Sequence, residues 1–358
     1  MSRFLLLDIG AGTMDVLFYD QKSDLHYKAV ARSPVLSVSE TIAGTPGNLL
    51  IRGYEMGGGA VSSAIKQRAT QAEVVMTAAA AATIHHNQEK VHAQGIKIIS
   101  DSQADQMQKD RRFSALMTTD LDVERIKHIV AGLNVPFEFD VIGICAQDHG
   151  MAPADVSHLD YRHRVFKTAL DKNPFPEALL YGPGQVPETF NRLSCIAQKG
   201  RELPAAEVYV MDSGMAAILG ASLELRAKSK QKLIVIDVAT SHTVSAALDG
   251  GEIAGFFEYH THDITRERLE HLIPLLADGK LKHDQILKEG GHGAYIRKAI
   301  GFEAVEMIIV TGPKRRLVEN SRLPMVWGAP FGDNMMTGTV GLLEAVRRRK
   351  GLDPISYV

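Results

Sequence analysis

Short apolar runs separated by turn-forming residues punctuate the chain. Residues 4–8 (FLLLD) are continuous enough for a buried strand, GAGT follows as a tight turn, and residues 14–19 run back as a second strand. After a turn over 20–24, alternation at 25–30 adds a third strand. The glycine-rich TPGNLLIRGYEMGGG leads into AVSSAIKQRA at helical spacing. EVVMT then reads as a strand, AAAAATIHHNQEKVHAQ as an Ala-rich helix stopped by Gly95, and IKIIS as another strand. After a charged middle segment, FDVIGIC is a strong β run ending in AQDHG, whereas 151–205 is studded with prolines and reads as irregular structure or short helices. Beyond it, EVYVMD is a strand, SGMAAILGASLELRA a helix, and KLIVIDVATSHTVSAALDGGEIAGFFEY a strand pair around the DGG turn at 249–251. TRERLEHLIPLLADGKL is a helix stopped by Gly279, EMIIV a strand, and FGDNMMTGTVGLLEAVRRRK a closing helix. Such alternation predicts an α/β fold in layers.

One pattern occurs twice. DIGAGTMDVLF at 8–18 and DVATSHTVSAA at 237–247 each follow an apolar strand, begin with Asp, pass through small residues and re-enter a strand, 229 residues apart. Two related halves are implied, each offering a strand–turn–strand at a shared cleft. The expected division is a first lobe over 1–205, joined by a closing helix at 335–358, and a second lobe over 206–334.

Composition narrows the function classes. The 358 residues carry 40 Lys and Arg against 42 Asp and Glu, a net charge of −2 with both signs spread along the chain. Neither a nucleic-acid nor an acidic-membrane footprint is present. No stretch approaches the ~20 apolar residues of a membrane span, and the apolar run after Arg3 is too short for a signal-peptide core, so a cytoplasmic protein is expected. The two cysteines, Cys145 and Cys195, lie 50 residues apart and cannot supply the three or four thiolates of an iron–sulfur cluster or a structural zinc. Both read as small core residues.

A tight turn of small residues after a buried strand lets backbone N–H groups converge on an anion, and Gly10, Gly12 and Thr13 fit, Thr13 adding a hydroxyl. Asp8 and Asp237 at the strand ends would then hold Mg²⁺, and two facing turns could clamp a polyphosphate. The same residues also read as ordinary hairpin turns with capping aspartates. Asp148 in AQDHG, at a strand's C-terminal end and flanked by Gln147 and His149, is a candidate proton acceptor for phosphoryl transfer or else the cap of the following turn. His260 and His262, two apart on a β run with Asp263 next and Glu258 on the same face, could reach one metal ion, though alternating polar residues on a solvated strand look identical. Gly57, Gly58 and Gly59 open a helix whose free N–H groups could bind a carboxylate or phosphate, or they form a sharp turn into it. Arg347 to Lys350 complement the last helix's dipole, and the pair His85 and His86 reads as surface.

LLLDIGAGTMDV resembles the first phosphate loop of the actin, sugar-kinase and heat-shock-ATPase superfamily, and LIVIDVATSHTVSAAL its second. MDSGMAAILGA is similar to the connecting helix before that second loop, MIIVTGPKRR to the adenosine-contacting strand and turn, and GDNMMTGTVGLLEAV to the final connecting helix. Five motifs in this order span nearly the whole chain. The resemblance implies a two-lobed, duplicated ribonuclease H-like α/β fold with a nucleotide cleft between lobes, and ATP with Mg²⁺ as cofactors. It also implies nucleotide contacts from Asp8, Gly10, Ala11, Gly12, Thr13 and Asp15, from Asp237, Thr240, Ser241, His242 and Thr243, and from Gly312, Pro313 and Lys314. The second loop departs from the pattern, carrying Ala239, Thr240 and Ser241 where glycines are usual; the hydroxyls of Thr240, Ser241 and Thr243 could compensate.

Within the superfamily, DIGAGTMDVLFYD, YEMGGG, TAAAAATI, AQDHG, FEYHT, LADGKL, GGHGA and GDNMMTG resemble a prokaryotic family labelled as a pyruvate formate-lyase activating enzyme. A glycyl-radical activating enzyme needs three closely spaced cysteines, and this chain has two. The expectation is an Mg-ATP-dependent phosphotransferase or ligase-like enzyme. Its unidentified small-molecule acceptor would meet Gly57, Gly58, Gly59, Gln147, His149, Glu258, His260 and His292. The alternative is an ATPase switch that re-activates a partner enzyme; nucleic acid and membrane are not expected partners.

Overall fold

The computed structural model describes residues 2–153 and 156–357. Three strands open the chain: β1 (Arg3–Ile9), β2 (Thr13–Asp20) and β3 (Leu25–Arg32). Four more, β4 (Asn48–Gly53), β5 (Val74–Thr77), β6 (Lys97–Ile99) and β7 (Phe113–Thr118), lie before β8 (Phe139–Ala146), β9 (Leu180–Tyr181) and β10 (Ala205–Asp212). The remainder carries β11 (Lys232–Val238), β12 (His242–Asp249), β13 (Glu252–His260), β14 (Ala294–Ile296), β15 (Met307–Thr311) and β16 (Met325–Trp327).

These strands form two sheets of matching plan and a third of different plan. The first runs β3-β2-β1-β8-β10-β9 and the second β14-β13-β12-β11-β15-β16. In both, an antiparallel meander continues from its first strand into parallel neighbours, β1 beside β8 and β11 beside β15. The fully apolar centres of β1, β8 and β11 reflect burial on both faces, as parallel neighbours covered by helices require. The fold is thus α/β and duplicated, the ribonuclease H-like arrangement that the resemblance implies.

Two helices tie the sheets together. Ser213–Ser222 follows β10, capped by Asp212 through Met215 N, and Thr337–Lys350 closes the chain. They pack backbone against backbone: a Cβ at Gly220 would collide with Thr337 O, and one at Gly341 with Ala216 O.

The third sheet, β6-β5-β4-β7, is parallel, has its own apolar core around Leu49, Ile51, Val74 and Met76, and is inserted between β3 and β8. The sequence reading did not separate it. Other local differences have physical causes. The Ala-rich helix expected over 78–94 is two short helices, Ala78–Ala81 and Gln88–His92, because Asn87 caps the second by accepting from Glu89 N. Between the prolines of 151–205 stand the helices His158–Lys172 and Asn191–Gly200. The closing helix begins at Thr337 rather than 331, after turns at Pro330–Gly332 and Asn334–Met336. Among the described residues no helix is long and apolar enough to cross a membrane.

Candidate functional site

The two repeated turns close identically. Gly10 N donates to Thr13 O at 3.0 Å, and Ala239 N donates to His242 O at 3.0 Å, so three-residue loops link β1 to β2 and β11 to β12. The turns also approach each other, a Cβ at Gly12 standing 3.0 Å from Thr240 Oγ1. Gly12 is therefore small because the other loop presses on it, and its φ is not in the left-handed region.

Three carboxylates gather beside the turns. Asp8 pairs across the ladder with Asp15, and Asp237 occupies in β11 the place of Asp8 in β1. Burial pushes the Asp8 carboxyl up to about 6, its Oδ1 being held by Ser213 Oγ at 2.9 Å. Burial and then the charge of Asp8 push Asp15 to about 8 and Asp237 to about 7. Asp15 Oδ1 is buried without a hydrogen-bond partner. Each strand-end aspartate abuts a glycine: a Cβ at Gly338 would strike the Asp8 carboxylate, and one at Gly312 would stand 2.6 Å from Asp237 Oδ1. Gly312 has φ +91° and its Cβ would also meet Val238 O at 2.5 Å, so glycine is required there.

A cavity of about 540 Å³ opens where the two turns face the inserted sheet. Asp8, Gly10, Ala11, Thr13, Asp15, Asp237, Thr240, Ser241, His242, Gly312 and Pro313 line it, as do Gly57, Gly58, Gly59, Gln147 and His149. Gly12, Thr243, Lys314, Asp148, Glu258, His260 and His292 are not lining residues, so the structure divides the sequence-derived set in two. Thr243 is wholly buried, its hydroxyl 3.0 Å from Thr261 Oγ1. Lys314 contributes its backbone N–H to Val238 O. Gly57 heads the helix Gly58–Ala69, and its tightness follows from packing: Cβ atoms at Gly57 and Gly58 would press on Val35 and on Thr83 O.

Asp148 takes the second of its two sequence readings. Its oxygens accept from Gly150 N at 2.8 Å and Leu193 N at 2.9 Å, and the side chain is buried, with burial pushing its carboxyl up to about 6. It caps the AQDHG turn and does not reach the cavity. Correspondingly, His85 and His86, expected at the surface, line the cavity, and His86 Nε2 is 2.9 Å from Glu55 Oε2. That bond holds His86 above the usual imidazole range. Sequence patterning could not place this pair, since it read one helix through 85–86 where the chain instead forms a link between the helices Ala78–Ala81 and Gln88–His92.

Behind the cavity a buried guanidinium spans the two repeated sheets. Arg162 donates to Glu258 Oε2 on β13 at 2.6 Å, to Asp212 Oδ2 at the end of β10 at 3.1 Å, and to Asp148 O at 3.0 Å. Arg162 holds Glu258 well below the usual carboxylate range despite its burial. Gln147 Nε2 donates to the other oxygen of Glu258. Glu258 therefore serves this network instead of sharing a solvated face with His260. His262 is exposed and stacks on His260, whose other neighbours are His242 and His292. At the end of the closing helix Arg347 and Arg348 pair with Glu344 and Lys350 with Glu207, while Arg349 donates to Gln185 Oε1 at 2.6 Å.

Comparison with known proteins places residues 56–317 on the model of one family, described as "Putative pyruvate format-lyase activating enzyme (DUF1786)". No curated protein sequence matches the chain. Among solved structures, a protein of the PilM–PilN type IV pilus biogenesis complex is similar at 12% identity over 98% of both chains, with a TM-score of 0.41. MreB5 of Spiroplasma citri bound to AMPPNP is similar at 12% identity over 98% of this chain and 97% of that one, TM-score 0.35. A ROK hexokinase from Thermus thermophilus is similar at 10% identity over 98% and 99%, TM-score 0.32.

Proposed function

The chain belongs to the DUF1786 family, and from that premise we propose that it binds ATP with Mg²⁺ in the cavity between the repeated turns and acts as a phosphotransferase or ligase-like enzyme on a small molecule. The carrying observation is the charge of that cavity. Asp8, Asp15 and Asp237 meet there, and the one Lys or Arg among the lining residues, Arg192, is already held by Asp120 at 2.8 and 2.9 Å. A polyphosphate would be repelled by these carboxylates, and they repel one another, unless a divalent cation stands between them. The residues fit Mg²⁺: all three offer hard oxygen donors, one of them a buried oxygen without a partner. When bound, the ion would supply charge neutralisation at the phosphates. The chain itself supplies the Gly10 to Thr13 and Ala239 to His242 turns, small enough for backbone N–H groups to approach an anion.

The acceptor side falls to the inserted sheet. His86, oriented by Glu55, lines the cavity and in its neutral form would take a proton from an acceptor hydroxyl, the role Asp148 is too enclosed to play. The activating-enzyme description in its glycyl-radical sense would ask for three cluster thiolates, and two cysteines cannot supply them. A switch reading keeps a specific support: Arg162 joins the sheets through buried charges, so hinge closure around nucleotide would load or release that link and could be read by a partner enzyme.

Calorimetric titration of the protein with ATP and Mg²⁺, beside Asp8→Asn and with phosphate release followed in the same samples, tests the proposal. Binding abolished by the substitution supports it. Appreciable release without acceptor moves the assignment to the switch, negligible release keeps the transferase, and absence of binding removes ATP chemistry altogether.

A further inference from the structure

Three histidines distant in sequence converge at the edge of the cavity. His242 begins β12 and His260 ends β13, directly opposite each other in the antiparallel ladder. His292 comes from the loop before β14, pinned to β13 by His292 N donating to Glu258 O at 2.7 Å and Glu258 N donating to Gly293 O at 3.3 Å. Glycines on both sides let it sit so close, since a Cβ at Gly291 would press on Tyr259 and Gly293 has φ +101°. The ring centroids of the three lie 4.4, 4.5 and 5.0 Å apart, and one nitrogen from each falls within 4.8 Å of the others.

Ordinary packing does not account for this cluster. His242 is 8% and His292 7% exposed, and His242 Nε2 has no hydrogen-bond partner. A buried unsatisfied ring nitrogen is costly unless something fills it. The facing groups favour a cation: Glu258 lies against His292, Asp263 stands beyond His262, and the guanidinium of Arg162 is already shared between Glu258 and Asp212. His292 Nδ1 is likewise buried without a hydrogen bond, 3.5 Å from Glu258 Oε1, so an ion on one nitrogen of this ring would leave that carboxylate within reach of backing the other.

We propose that His242, His260 and His292 form a three-histidine site for a divalent transition ion of the zinc class, at the wall of the cavity and separate from the Asp8, Asp15 and Asp237 cluster. Three imidazoles suit Zn²⁺ or Co²⁺ and not Mg²⁺. On a tetrahedral ion their nitrogens would stand about 3.3 Å apart, so small side-chain rotations close the site. Because His242 lines the cavity, the fourth position is available to water or to a substrate oxygen, and His149, 5.4 Å from His242 between ring centroids, stands beside it. This goes beyond the nucleotide reading and does not depend on it.

The test loads chelator-treated protein with Zn²⁺ under calorimetry and with Co²⁺ under visible spectroscopy. One equivalent of zinc, with cobalt d–d bands of a tetrahedral ion, is expected. Replacing the half-exposed His260 by Ala should weaken zinc by at least about 100-fold, the upper end of what losing a mere supporting partner costs. His262→Ala and Asp8→Asn should leave zinc affinity unchanged while Asp8→Asn still weakens Mg-ATP, which separates the two sites. His292→Ala is read only alongside a thermal melt confirming the fold. No stoichiometric zinc, an octahedral cobalt spectrum, or affinity unaltered in the His260 variant would overturn the assignment.

Discussion

The turn after β1 and the turn after β11 close with the same backbone hydrogen bond, yet one is GAG and the other Ala239, Thr240 and Ser241. At the fixed offset, Thr13 answers to His242 and Asp15 to Val244. One scaffold thus presents a paired carboxylate in the first half and an imidazole with an apolar neighbour in the second. The glycines are not needed for backbone shape, since neither Gly10 nor Gly12 has a positive φ. Gly12 keeps the first loop slim where the second loop's Thr240 leans on it. The asymmetry between the halves is therefore chemical, and the backbone is common to both.

The largest expected effects come from the glycines behind the two aspartates. Gly312→Ala combines a left-handed φ with contact on Val238 O, and Gly338→Ala drives a methyl into the Asp8 carboxylate. Overpacking of this kind costs about 1–3 kcal/mol and strain adds to it, so both variants should melt well below the parent in calorimetry. If Gly338→Ala melts normally, the closing helix does not press on Asp8 and the equivalence of the two sites fails.

Next come the carboxylates. Asp8, Asp15 and Asp237 titrate near 6, 8 and 7 in the folded chain, above the ordinary 3.8. Between those values the folded protein holds protons that the unfolded chain has released, so stability falls as pH rises. Through these three groups the protein without divalent ions should lose stability progressively as the pH rises from about 4 to about 8.5, and Mg²⁺ should reverse the loss. Asp15→Asn should flatten the upper part of that slope. Val244→Asp, which copies the first half's acid into the second, should steepen it, because Val244 is buried and lines the same cavity.

Both meanders and their turns were legible in the sequence because local apolar runs and glycine breaks define them. Of the inserted sheet, β5 and β6 were legible as apolar runs, but β4 and β7 were not, since β4 lies in a glycine-rich stretch and β7 in a charged segment, and the pairing of the four spans distances that no local pattern records. At the site, the Asp8 and Asp237 turns could be read from their repeat, whereas the His85 and His86 pair and the capping of Asp148 depend on tertiary neighbours. The histidine cluster shows a subtler limit. Counting outward from the turn at 249–251 would set His242 opposite Tyr259. A bulge between Ala247 and Leu248 on one side and Ala254 on the other shifts the register by one, so His260 faces His242 and His262 is left outside.

The smallest effects should come from the loops themselves. Ala239→Gly leaves the Ala239 N to His242 O bond in place and adds only unfolded-chain freedom, a loss of about 0.4–1 kcal/mol in stability with Mg-ATP affinity close to the parent's. Gly12→Ala sends its methyl to 3.0 Å from Thr240 Oγ1 and 3.1 Å from Thr240 Cγ2, the end of a short side chain that a few tenths of an ångström can relieve. Its melting temperature should barely move, while the widened gap between the turns should show as weaker nucleotide binding. Coupling gives the sharper reading: Thr240→Ser removes the Cγ2 that the methyl would meet, so the Gly12→Ala defect in affinity should shrink in that background. Equal defects in both backgrounds would mean that the two loops do not meet in solution as they do here, and the slimness of the first turn would then need another cause.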